Sequence, residues 1–171
     1  MKKIVAALLA LMLLLSAAAL AEDASVENIQ SKGTFILGLD DSFPPMGFRD
    51  ENNDIVGFDI DVAKVVAQKL GVEFVAQPIA WDSKELELSS GNIDCIWNGL
   101  SITDERQASM AMTFPYLNNQ MIFYAKEGSG IASLEDLAGK VVAVQNGSYA
   151  EELLEDDADL TATFADVLGY D

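Results

Sequence analysis

Apolar residues fall along this chain in short, dense runs separated by polar, glycine-bearing turns, a pattern of buried strands alternating with one-faced helices. Thr34 to Leu39, TFILGL, is apolar on both faces, as a strand buried inside a parallel sheet must be. Gly57 to Leu70, GFDIDVAKVVAQKL, places Val62, Val66 and Leu70 at four-residue spacing with Ala63 and Ala67 beside them. That spacing predicts a helix with one core face, capped by Asp59 or Asp61 and closed by Gly71. Val72 to Gln77 is a second strand, Ser83 to Ser90 a short helix closed by Gly91, and Ile93 to Trp97 a third strand. The order βαβαβ with brief connections implies a parallel sheet with right-handed crossovers. Further on, Met121 to Ala125 is strand-like, Ser133 to Leu137 resembles a short capped helix, and Lys140 to Val144 is a buried strand. The turn Gln145 to Ser148 leads into a helix through Glu155, and Leu160 to Phe164 is the last expected strand.

The first residues stand outside this pattern. Lys2 and Lys3 precede the apolar run Ile4 to Leu15, and Ala19-Leu20-Ala21 supplies the small residues of a signal-peptidase site. Residues 1–21 are therefore expected to be a cleaved signal peptide, and the protein exported to a periplasm or secreted. A single-pass anchor is the rival, but the run is shorter than the roughly 20 residues a bilayer requires, and Glu22 and Asp23 follow it. No cysteine lies near the cleavage site, so a lipid anchor has no support.

Charge and composition narrow the chemistry. The formal net charge is −18, with 28 acidic residues, and it becomes more negative once Lys2 and Lys3 are removed, which argues against nucleic acid or anionic membrane as a partner. Cys95 is the sole cysteine, so no internal disulfide is expected, and its apolar surroundings suit a small buried hydrophobe. Without histidine, Ser-His catalysis is excluded and a metal site of the zinc type is not expected. No glycine-rich fingerprint follows the first strand and no P-loop occurs, so no cofactor is expected.

The strongest chemical signal is Asn98 to Gln107, NGLSITDERQ, at the end of the third strand. A glycine turn, Ser101 and a helix opening near Thr103 offer outward N–H groups to an anion, and the Arg106 fork matches a carboxylate with two parallel hydrogen bonds. Asp40 to Phe48, DDSFPPMGF, leaves the first strand as a loop stiffened by Pro44 and Pro45, which holds Phe43 in extended backbone. Loops at the carboxyl ends of parallel strands are where open α/β sheets bind ligands, and Trp81 lies at another such junction. Ser148 and the Tyr149 amide repeat the helix-start anion site. A solvated Arg106 and a Phe43 packed into the core remain open on these grounds.

Gly57 to Leu70 resembles the signature of the family 3 extracellular solute-binding proteins, the amino-acid receptors of ABC importers. The series Asp40-x-x-Phe43-x-Pro45, Trp81, Gly91-x-x-Asp94, Gly99-x-Ser101-x-Thr103-x-x-Arg106 and Phe114-Pro115-Tyr116 resembles the family in order and spacing, and the likeness spans Gly33 to Asp171. It implies an α/β fold of the type II periplasmic-binding-protein kind, two lobes with a cleft: lobe one over residues 22–125 and a partial lobe two over 126–171, the second lobe incomplete. It also implies roles. Arg106 would pair with a ligand α-carboxylate, Ser101 would donate to it, and the Gly99 carbonyl would face the α-ammonium. Phe43 and Trp81 would flank the ligand side chain, Asp40 would reach its polar end, and Ser148 and Tyr149 would close from lobe two. Tyr149 departs from the small hydroxyl residue usual there, which leaves a backbone donor but not a side-chain one. Asn118 to Gln120 would lie near the hinge. The implied ligand is a polar L-amino acid, cationic or amide in side chain, and the implied partner is a membrane permease; a monomer is expected. Because family members continue past the position of Asp171, weak binding is expected of this chain by itself. An exported dehydratase-like enzyme on the same scaffold and a ligand-sensing module of a receptor are the alternatives.

Overall fold

The computed structural model describes residues 24–171. The expected signal peptide lies outside the described residues. Chain entry is through α1 (Ser25–Lys32), closed by Gly33 in the left-handed conformation and leading into β1 (Thr34–Leu39). A three-stranded antiparallel sheet follows, β2 (Ser42–Phe43), β3 (Gly47–Arg49) and β4 (Ile55–Val56) in that order. Then come α2 (Phe58–Leu70), β5 (Glu73–Pro78), a 3₁₀ turn at Trp81–Ser83, α3 (Lys84–Ser89), β6 (Cys95–Ile96) and α4 (Asp104–Ser109). Beyond a long irregular stretch lie a 3₁₀ turn at Glu135–Leu137, β7 (Val141–Gln145), α5 (Tyr149–Asp156), α6 (Ala158–Thr161) and β8 (Asp166–Tyr170).

The expected βαβαβ unit is present, with β1 central between β5 and β6 and parallel to both. Burial of β1 on both faces explains its unbroken apolar run: Leu37 and Leu39 are fully buried and Phe35 nearly so. They pack on Ile60, Ala63 and Ala67 of α2, with Phe74 and Ala76 of β5 at the margin. The expected core face of α2 is largely present, with Ala63 and Ala67 buried and Val66 at the core margin, but Ile60 replaces Val62 on it. Val62 and Val65 are exposed, and Ile60, Ala63 and Ala67 point inward, because the small alanines let the helix approach the sheet closely. Neither Asp59 nor Asp61 caps α2; Gly57 stands at the cap without a side-chain bond. Its φ of +138° is open only to glycine, and a Cβ there would collide with the Met46 carbonyl. Asp94 ties the unit together by accepting the Ile36 N–H at 2.8 Å and the Lys32 ammonium at 2.7 Å.

The second sheet pairs β7 with β8 in parallel, from Val141–Asp166 to Gln145–Tyr170. Its core is small: Val142, Val144 and Leu154, with Ala150, Phe164 and Val167 against them. Two strand expectations fail in this half. Residues 160–164 are not a strand; Asp157 accepts the Leu160 N–H at 3.0 Å and starts a helical turn, and the strand forms at Asp166–Tyr170 instead. Residues 121–125 have strand-like composition but form none, and Ile122 and Tyr124 are 79% and 96% exposed. Among the described residues no strand lies alongside to take their backbone hydrogen bonds, and composition without a partner does not make a strand. Among the described residues, no helix is long and apolar enough to cross a membrane.

Candidate functional site

Every residue singled out for ligand binding lies at or just beyond the carboxyl end of a parallel strand. Asp40 directly follows β1 and Phe43 lies on β2; Trp81 follows β5; Gly99, Ser101 and Arg106 follow β6; Ser148 and Tyr149 follow β7. The turn after β6 is held from behind by Asp59, which is fully buried at the start of α2. One of its oxygens accepts the Gly99 N–H at 2.9 Å and the other accepts the Tyr116 hydroxyl at 2.9 Å. Burial pushes the Asp59 carboxyl above its ordinary value, and the bonds from Tyr116 and Gly99 only partly offset that. The Tyr116 hydroxyl is pushed up as well, by burial first and then by the neighbouring carboxylate. Asn98, buried beside this turn, accepts the Asp40 N–H at 3.1 Å and so couples the ends of β1 and β6.

Thr103 caps α4 by accepting the Arg106 N–H at 3.2 Å, and this fixes the helix start. Arg106 is 5% exposed, so it is no solvated surface residue. Its Nη1 donates to the Ser101 carbonyl at 3.0 Å, and its Nη2 donates to the Glu152 carboxylate of α5. Ser101 Oγ accepts from Asn119 Nδ2 at 3.1 Å. Phe43 is half exposed, and its Cε1 would lie 3.3 Å from a Cβ at Gly99, so the ring rests on the site turn and not in the core. Trp81 is 9% exposed, with the Lys84 ammonium 5.3 Å from its ring centroid.

Among the described residues, three polar contacts join the two halves. Gln145 Nε2 donates to Asp40 Oδ2 at 2.7 Å, Lys84 Nζ donates to the Gly147 carbonyl at 2.7 Å, and Arg106 pairs with Glu152. Gly147, at φ +66°, sits so close to Asp82 that a Cβ would stand 2.7 Å from the Asp82 Cα. Ser148 accepts the Glu151 N–H at 3.2 Å, and Glu151 in return accepts the Gly147 N–H at 2.7 Å, so the start of α5 is capped from within the chain. Around the start of α4 lie two acidic cavities that share Thr103, Glu105, Glu152 and Glu155 in their linings. One of about 470 Å³ is lined by Ile102, Thr103, Asp104, Glu105, Tyr149 and Glu152 among others. Another of about 310 Å³ is lined by Glu85, Arg106, Ser109 and Glu155 among others.

Sequence reasoning did not find Asp59, Lys84, Gln145 or Glu152 as site residues. Asp59 lies inside the signature stretch, but an acid at a helix start reads as a cap. Lys84 has no sequence signal, since a lysine 2% exposed contradicts the usual preference of its type. Gln145 and Glu152 act across the two halves, which local pattern does not reveal.

With this geometry in place, comparison with known proteins is specific. Residues 35–169 match the family of bacterial extracellular solute-binding proteins, family 3, and the chain belongs to that family. The L-cystine-binding protein TcyJ of Escherichia coli K12 is 31% identical over 142 residues, covering 82% of this chain and 53% of that protein. The arginine-binding extracellular protein ArtP of Bacillus subtilis is 36% identical over 121 residues, covering 71% of this chain and 47% of that protein. The chain spans about half the length of these curated relatives. Among solved structures, an ABC uptake transporter substrate-binding protein from Streptococcus pneumoniae with bound histidine superposes with a TM-score of 0.82 at 36% identity. That match covers 88% of this chain and 62% of the other. The fold is that of the type II periplasmic binding proteins, α/β with two lobes about a cleft.

Proposed function

We propose that this chain is the ligand-capturing part of an extracytoplasmic substrate-binding protein, which takes up a polar L-amino acid and delivers it to an ABC-type membrane permease. Residues 1–21 act as the cleaved export signal, residues 22–125 form lobe one and residues 126–171 part of lobe two. The observation that carries the reading is a buried guanidinium, Arg106, set at a helix start between the two lobes. A planar carboxylate is the ligand group that its fork fits best, and the Glu152 carboxylate already reaches it. Ser101 adds a hydroxyl to that carboxylate and the Gly99 carbonyl faces the ammonium. Phe43 and Trp81 form the walls around the side chain, Asp40 reaches its polar end, and Ser148 and Tyr149 add contacts in the closed state. Extra contacts made only when closed are what lets a ligand favour closure. The Asp40 carboxylate at the polar end favours a cationic or amide side chain over an acidic one.

The chain works as a monomeric receptor, without metal, cofactor or catalysis. The carboxyl with a raised pKa, Asp59, is fully buried behind the site turn with both oxygens bonded, and no acid–base role in the cleft fits it. The test is a thermal-shift panel of the twenty L-amino acids on the chain and on Arg106→Ala. A ligand at about 100 times its dissociation constant stabilises the folded state by roughly 2.7 kcal/mol. A shift with arginine, histidine or another polar amino acid that Arg106→Ala abolishes supports the reading. Equal shifts in both proteins, or turnover of the added compound, would overturn it.

A further inference from the structure

Arg106 already holds a carboxylate, and it is the protein's own. Glu152 lies in the first turn of α5, and its carboxylate reaches across to accept from the Arg106 guanidinium. The Arg106 side chain is 6% exposed, whereas that of Glu152 is 36% exposed and lines both cavities beside the pair. The acid therefore sits on the solvent side of the guanidinium, where an incoming carboxylate would have to arrive.

We propose, on the basis of the receptor reading above, that Glu152 is an internal stand-in for the ligand carboxylate and that a zwitterionic ligand exchanges with it. The ligand carboxylate takes the Arg106 fork, and the displaced Glu152 accepts the ligand ammonium. Before the exchange the guanidinium pairs with Glu152, with Glu85 3.9 Å from its Nε; after it the ligand carboxylate pairs with the guanidinium and Glu152 with the ligand ammonium, so every charge is matched on both sides. A carboxylate without an ammonium displaces Glu152 but leaves it unpaired among Glu85, Glu105 and Glu155, which is costly at close range. Glu152 thus sets selectivity for amino acids over simple carboxylates, and it lowers the apparent affinity for both by the fraction of molecules in which Arg106 is occupied.

The test titrates the full chain calorimetrically with L-arginine and L-histidine, each beside its analogue lacking the α-amino group, 5-guanidinopentanoate and imidazolepropionate. Wild type, Glu152→Gln and Arg106→Ala are compared, and acetate-dependent thermal shifts are taken for wild type, Glu152→Ala and the Arg106→Ala/Glu152→Ala double variant. Wild type is expected to prefer the amino acid to its analogue by about tenfold or more, and Glu152→Gln to bind the analogue about tenfold tighter with that preference lost. Acetate is expected to raise the melting temperature of Glu152→Ala alone, by filling the vacated place. If Arg106→Ala abolishes binding while Glu152→Gln leaves both affinities unchanged, the exchange is wrong and the receptor reading stands. If Arg106→Ala binds as wild type does, the receptor reading itself fails. Where no amino acid binds any form, acetate decides: a shift confined to Glu152→Ala upholds the internal carboxylate, and equal shifts or none overturn it.

Discussion

Replacing Asp59 with asparagine isolates the group that shapes the site turn from behind. The carboxylate receives two hydrogen bonds, from the Gly99 N–H and the Tyr116 hydroxyl, both at 2.9 Å. Asparagine can accept one of them, but its amide nitrogen then faces the other donor. Leaving one buried donor unpaired costs about 1–3 kcal/mol, so Asp59→Asn should destabilise the fold by about that much. The pH dependence is the sharper check. Because burial raises the folded pKa above the ordinary 3.8, the native state binds the proton more tightly than the unfolded chain. The contribution of Asp59 is then fully present below 3.8 and is lost as pH rises through the folded value. Each unit by which the folded value exceeds 3.8 removes about 1.4 kcal/mol. Urea unfolding of both proteins across a pH series should show the stability gap between them widest in acid and narrowing toward neutral pH. A gap that widens toward neutral pH would refute the reasoning, since it would mean that the two donors outweigh burial and favour the charged form.

Other perturbations probe other parts of the account. Gly147→Ala puts a Cβ at 2.7 Å from the Asp82 Cα in a left-handed backbone, so it should cost about 1–2 kcal/mol in backbone alone and loosen the lobes, read as increased hydrogen exchange at Asp82 and Gly147. Leu37→Ala, at a fully buried position of the central strand, should lose about 2–5 kcal/mol in chemical denaturation, and a loss below 1 kcal/mol would contradict the packing described. The Cys95 thiol is pushed up to about 12 by burial, with the Asp94 charge adding to it, so it should resist alkylation at neutral pH until the chain unfolds. Rapid labelling of the native protein would show that β6 opens. Lys84→Met removes the donor to the Gly147 carbonyl and should weaken lobe contact, seen as faster exchange at the start of α5 while β1 stays protected.

The parallel sheet of lobe one was legible because its signals are local and strong. The double-faced apolar run of β1, the period of α2 and the glycine at its end each announce their element within a dozen residues. Where those signals weaken, pattern reading slips. Residues 160–164 are rich in threonine and apolar groups, yet Asp157 captures the Leu160 N–H and turns them into a helical end. Of the expected inner face of α2, Ala63 and Ala67 are buried and Val66 packs at the core margin, whereas Val62 is exposed and Ile60 takes the inward place at the helix start, which only the packed structure determines. The site turn and Arg106 could be located because a glycine, a serine, a helix cap and an arginine stand close together in sequence. The roles of Asp59, Lys84, Gln145 and Glu152 depend on partners 40 to 105 residues away, and no local pattern encodes those pairings.

The most direct test of the central claim is a crystal structure of the chain soaked with the amino acid that gives the largest thermal shift. The account predicts the ligand between the lobes, its carboxylate on the Arg106 guanidinium and near Ser101, and Glu152 turned away from Arg106. An amino acid bound elsewhere, with the Arg106–Glu152 pair intact, would contradict it.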